Sequence, residues 1–337
     1  MDPAALLDRL WAEGAGLDDR QAIAAARESA TGPIADQLSL WADWVAADDG
    51  QSRGVEGDVI DRLADDPAAL VLVIAIELRA AVLRRDHEAI DEALVATDRM
   101  LGRIATEDPR AAVARAAADI ALAETALYGQ DLPSARRCLE GLVASGPTAL
   151  RITALMRSVT LALAGADAAT ARKRARQALT LAHSTNRPTQ AQQAQLLLGI
   201  VSYMAGDTDA MRAQLQPLVE AHPDDATTRL VLAGLEGPDR AIATLADGLT
   251  RAAQRGDALG YALCALVGAR RYVAIGKRAD ALVTMSSVRM QLGDLAPEVS
   301  YLLDAELESW KRAWGDEVFA KAERDAMALL QRDLAGT

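Results

Sequence analysis

Few residues in this chain are able to do covalent or metal chemistry. There are three histidines, His87, His183 and His222, and two cysteines, Cys138 and Cys264. HEAID at 87–91 resembles the zinc-binding HExxH helix, but Asp91 stands where the second histidine would be, so two imidazoles cannot share one helical face. GAG at 14–16 lacks the third glycine and the preceding strand of a nucleotide fingerprint. No GxSxG or P-loop occurs. Both cysteines lie in apolar helical contexts, far apart, and read as free buried thiols of a reducing compartment. The residues therefore predict no catalytic group, no metal and no cofactor.

Charge is the stronger signal. The net charge of −12 favours solubility and opposes nonspecific binding to nucleic acid or anionic membranes. Positive charge nevertheless gathers in residues 132–191. Nine cations (Arg136, Arg137, Arg151, Arg157, Arg172, Lys173, Arg174, Arg176, Arg187) face only Glu140 and Asp167, a local balance of +7. ARKRAR at 171–176 places Arg172 and Arg176 one helical turn apart. Two readings stay open: a solvated helix face, or a surface that holds an acidic protein segment.

These residues must be carried by helices. Half of the residues are hydrophobic but only 3% are aromatic; alanine and leucine, strong helix formers, supply the apolar surface. One phrase recurs, an apolar helix end, a glycine, then a polar residue able to cap a new helix. It surrounds Gly129, Gly165, Gly206, Gly237, Gly276 and Gly315, with Arg85 in the glycine position of an earlier copy. The spacings are 36, 41, 31, 39 and 39 residues. Glycine supplies the left-handed conformation that ends a helix, and the polar residue caps the next one. Prolines at 67, 109, 147, 188, 223 and 297 fall between these turns, where they stop one helix and open another. The chain thus reads as helix, glycine turn, helix, proline break, a repeat of helical hairpins.

This unit resembles the tetratricopeptide repeat (TPR). Leu198-Gly199 stands at the Leu-Gly pair of the first helix, with Met211, Leu215, Leu218 and Pro223 at the second-helix positions. Ala135, Leu139, Leu142 and Pro147 repeat that spacing, as do Ala171, Ala175 and Ala178 without the proline. Gly199 is expected where paired helices approach closely. The period exceeds the usual 34, and most repeats lack the Leu-Gly pair. The resemblance implies an all-α, right-handed superhelical array of antiparallel hairpins over 58–337. It also implies a groove lined by first helices. Of the residues at places where a carboxylate-clamping TPR carries Lys, Asn or Arg, only Arg157 fits. The groove is expected to be mixed and partly apolar, with Gln193 at one such place and Tyr128 and Tyr203 near its wall.

Residues 1–13, 18–30 and 33–47 read as helices, and the glycine-rich stretch 48–58 as a loop, so 1–57 is expected to form an N-terminal helical cap. Trp11, Trp41 and Trp44 lie near one end, Trp310 and Trp314 near the other. They either seal the ends of the array or anchor a partner, including a second copy. The N-terminus does not read as a signal peptide and the longest apolar run is too short to span a bilayer, so a cytoplasmic protein is expected. The functional expectation is a noncatalytic protein-interaction scaffold or adaptor. The alternative is a regulatory sensor that binds a signalling peptide or small ligand.

Overall fold

The computed structural model describes residues 2–48, 54–165, 167–221, 229–230, 233, 237–295 and 297–335. His222, Pro223 and much of the 48–58 loop lie outside the described residues. Those described form seventeen α-helices and no strand. In chain order they are α1 (Pro3–Glu13), α2 (Arg20–Arg27), α3 (Gly32–Asp48), α4 (Gly57–Arg62), α5 (Pro67–Arg84), α6 (His87–Leu101), α7 (Ala111–Tyr128), α8 (Leu132–Ser145) and α9 (Thr148–Ala164). They continue as α10 (Ala168–Ser184), α11 (Pro188–Met204), α12 (Thr208–Ala221), α13 (Pro238–Arg255), α14 (Ala258–Ala274), α15 (Arg278–Leu295), α16 (Pro297–Trp314) and α17 (Asp316–Ala335). Most consecutive helices pack against one another, as in a helical repeat array. The chain forms two compact units, Met1–Leu197 and Leu198–Thr337, that divide within α11.

Each glycine phrase is a helix boundary, and the backbone explains why. Gly206, Gly276 and Gly315 take φ near +78°, the left-handed conformation that closes a helix. Arg85, at the glycine position of the earliest copy, is also left-handed. At the Gly129 turn the left-handed residue is the neighbour, Gln130. The next residue is usually aspartate. Its N–H reaches back to the carbonyl five residues earlier, as Asp86 does to Ala81 at 3.0 Å and Asp131 to Ala126 at 2.8 Å. Its carboxylate then caps the new helix, accepting from the N–H of Ala89, Ser134, Thr170 or Ala210. One further turn of this kind, left-handed Gly256 followed by the cap Asp257, separates α13 from α14 where other hairpins use proline.

The second-helix positions of the resemblance are core. Ala135, Leu139, Ala171, Ala175, Ala178, Met211 and Leu215 are all 4% exposed or less. Gly199 lies under Leu215: a Cβ there would stand 2.6 Å from its Cδ2, so α11 and α12 close on a glycine as the sequence predicts. The tryptophans are mostly inside. Trp41 and Trp44 are fully buried, Trp11 packs edge-on against Trp41 at 5.2 Å, and Trp310 stacks on the partly buried Trp314 at 5.3 Å.

Candidate functional site

In the first unit the first helices of four hairpins, α5, α7, α9 and α11, are met by the chain's own N-terminal segment. Two carboxylates on adjacent residues make the link to α11. Asp18 accepts from the N–H groups of Thr189 at 2.6 Å and Gln190 at 3.0 Å, capping α11 from a distance in sequence. Asp19, which is buried, accepts from Arg187 at 2.9 Å, Arg9 at 2.7 Å and the Gly16 N–H at 2.9 Å. Burial by itself would raise the Asp19 carboxyl; these donors outweigh it and hold it below its ordinary range. The GAG stretch has a structural reason: a Cβ on Gly14 would lie 2.4 Å from Leu150 of α9, and one on Gly16 2.7 Å from Gln190. At Gly14 a side chain requires Leu150 to move, whereas at Gly16 it displaces the flexible end of Gln190.

Farther along, α3 ends in a buried ionic cluster. Arg79 of α5 is 2% exposed; it pairs with Asp48 at 2.8 Å and Glu124 of α7 at 2.7 Å, and stands over the Trp44 ring at 4.5 Å. Arg157 of α9 pairs with the same Glu124 at 2.7 Å and lies 3.7 Å from Asp48. Two cations and two carboxylates thus close four helices together. Arg110, at the N-terminal end of α7, joins the Trp11 ring at 5.4 Å and Asp66 at 2.6 Å. The first helices of the first unit are therefore met by α1, α3 and the Asp18-Asp19 pair between α1 and α2. Arg157, the one clamp-like residue of the sequence, is held by internal carboxylates. Gln193 is half-buried on α11, and Tyr128 ends α7 with its ring 5.9 Å from that of His87.

The outer, second helices α8 and α10 carry the remaining cations. Arg136, Arg137, Lys173 and Arg176 are exposed, and Arg172 is half-buried. Arg137 donates to Ser134 at 2.7 Å and Arg174 to Gln177 at 3.2 Å. Among the described residues no ion pair engages Arg136, Arg172, Lys173 or Arg176. The two helix starts are neighbours: Arg136 contributes to holding the Asp167 carboxyl below its ordinary range, after the larger effect of the Thr170 hydrogen bonds. Arg151, Arg157 and Arg187 leave this group, being bonded to Val143, Glu124 and Asp19. The nine cations of the sequence thus resolve into three structural arginines and six surface cations.

In the second unit Tyr203 belongs to a different cluster. Arg270 of α14 lies 4.7 Å over its ring and pairs with Glu306 of α16 at 2.6 Å. Arg270 repeats the device of Arg79 and Glu124: each sits six residues before the left-handed residue of its turn and pairs with the first helix of the next hairpin. The structure thus brings Arg136 near the start of α10, and it places Tyr128, Arg157, Gln193 and Tyr203 in separate settings. No helix among the described residues is long and apolar enough to cross a membrane. Neither a family model nor a curated protein sequence matches the chain.

Proposed function

We propose that the chain is a noncatalytic interaction scaffold or adaptor, a right-handed TPR-like array, that holds an acidic segment of a partner protein on the outer faces of α8 and α10. One observation carries this reading: Arg79, Arg157 and Arg187 on the first-helix side of the first unit are satisfied by internal carboxylates, whereas among the described residues no ion pair engages Arg136, Arg172, Lys173 or Arg176. An empty groove would have favoured a peptide laid against the first helices. Here α1 and α3 pack against those helices, and Leu6, Leu10 and Trp11 of α1 and Trp41 and Trp44 of α3 are all buried. At about 2 kcal/mol for each large apolar side chain, releasing them costs on the order of 10 kcal/mol, as much as a typical domain's whole stability. A partner gains more by leaving that segment in place.

The cations also stand weakly against local preference. Arg172 and Lys173 lie in the second turn of α10, where the helix dipole's preference for anions is already small. An acidic segment relieves that. Nucleic acid is a poorer fit, because the net charge of −12 repels phosphate at a distance. The test is affinity capture from native extract with the wild type and with Arg172→Ser, Lys173→Ser and Arg176→Ser combined. The wild type should capture a partner near stoichiometry, less so as salt rises and the screening length falls towards about 8 Å. The triple variant should fold equally and capture at least about tenfold less. Capture indifferent to both salt and the substitutions returns these residues to a solvated face.

A further inference from the structure

The second unit holds a cavity of about 150 Å³ lined by Tyr203, Thr208, Met211, Leu230, Val267, Arg270, Arg271 and Ala274. Its buried wall is apolar: Met211, Leu230 and Val267 are each 4% exposed or less. Thr208 and Ala274 are exposed and mark its mouth. The two arginines differ. Arg270 is neutralised by both oxygens of Glu306, at 2.7 and 2.6 Å, and fixed over the Tyr203 ring, so it is part of the wall. Arg271 is half-buried, and among the described residues no carboxylate pairs with it; it makes one long bond, 3.4 Å, to the Ala233 carbonyl. Burial keeps the Tyr203 phenol protonated above its usual range; Arg270, hydrogen-bonded to its oxygen, and to a smaller degree Arg271 act against that. A neutral hydroxyl and a guanidinium without a carboxylate partner among the described residues therefore converge beside an apolar floor, and no acid is among the described lining residues.

We infer that this cavity is a binding site for a small apolar monocarboxylate, whose hydrocarbon covers Met211, Leu230 and Val267 and whose carboxylate joins Arg271 and the Tyr203 hydroxyl. Size sets the class. A cavity near 150 Å³ takes about one benzene-sized group, whereas nucleotide and drug-sized ligands need roughly 300 Å³ or more. Charge sets the head group: a guanidinium matches a planar carboxylate bidentately. The site makes a small-ligand response available to the chain.

The test uses the full chain with 13C-methyl methionine and sodium 4-methylpentanoate as the probe. The Met211 resonance, assigned from Met211→Leu, reports the cavity floor. Saturable movement of that resonance is expected with a Kd on the order of 1 mM, as suits so few atoms. Arg271→Gln should weaken it at least about tenfold, Tyr203→Phe by a smaller factor, and the neutral 4-methylpentanol should bind at least about tenfold more weakly than the acid. Far-UV circular dichroism checks that each variant keeps its helices. No saturable movement, or affinity that survives Arg271→Gln and the loss of the carboxylate, overturns the proposal.

Discussion

Replacing Glu124 with glutamine isolates the charge that ties α5, α7 and α9 together, because the amide keeps the shape and one acceptor oxygen. Glu124 receives Arg79 and Arg157, both through Nε at 2.7 Å, and Arg79 is almost wholly buried. With Asp48 the cluster is neutral; the amide leaves it one positive charge in excess. One charge pair at about 4 Å and an effective dielectric constant of ~20 is worth about 4 kcal/mol. Breaking a buried pair from one side costs about 3–5 kcal/mol in measured cases. For a unit of this size that is a fall in melting temperature of about 6–20 °C. Thermal and urea unfolding by circular dichroism measure it, with the exposed Glu140→Gln as a control expected within about 0.5 kcal/mol of wild type. The effect should also fade in acid. Burial acts to raise the Glu124 carboxyl, but Arg79 and Arg157 together bring it below its ordinary value. A group depressed in the folded state stabilises fully above its unfolded pKa, and that stabilisation is lost as pH falls through the lower, folded value. Wild type and variant should therefore converge at low pH. A loss under about 1 kcal/mol at neutral pH, or a gap independent of pH, would refute the claim that this cluster joins the helices.

Gly199→Leu should cost about 1–3 kcal/mol in urea unfolding, because the Leu215 side chain must move, and the gain in helix propensity is smaller. Gly14→Ala places a Cβ against Leu150 at a residue with φ +79° and should cost about 1–3 kcal/mol, with faster proteolysis after residues 9 and 20 as the second readout. Asp119 is pushed up to about 6 by burial, so between its unfolded pKa and that value stability falls as pH rises. Asp119→Asn should gain about 1 kcal/mol at pH 7 after allowance for partial solvent screening, and nothing near pH 4; a loss at pH 7 assigns the carboxylate a partner.

The hairpin rhythm was legible in the sequence because its determinants are local. Gly206-Asp207 and Gly276-Lys277 hold both the left-handed closure and the start of the next helix within adjacent residues. Gln130 shows the limit of that code: a non-glycine takes the strained position once the Asp131 bonds fix the turn. Gly256-Asp257 carries the same pair, but Gln254 and Arg255 stand before it in place of an apolar helix end. The packing of α1 and α3 on the first helices was not legible. Asp19 meets Arg187 across 168 residues, and no local pattern specifies such a pair. For the same reason three of nine clustered arginines prove structural, a distinction that net charge along a window cannot make. The opposite charges at equivalent places in neighbouring first helices, Arg79 and Glu124, were the one available hint.

The proposed partner surface has a direct chemical reporter. Lys173 is the single lysine in residues 1–197; the others are Lys277, Lys311 and Lys321. Zero-length carbodiimide coupling joins an amine only to a carboxylate already paired with it. Applied to the captured complex and read by mass spectrometry, it should link Lys173 to an Asp or Glu of the partner, and the link should be lost in high salt. Links confined to Lys277, Lys311 or Lys321, with Lys173 unmodified at full capture, would contradict the assignment of the partner to α8 and α10.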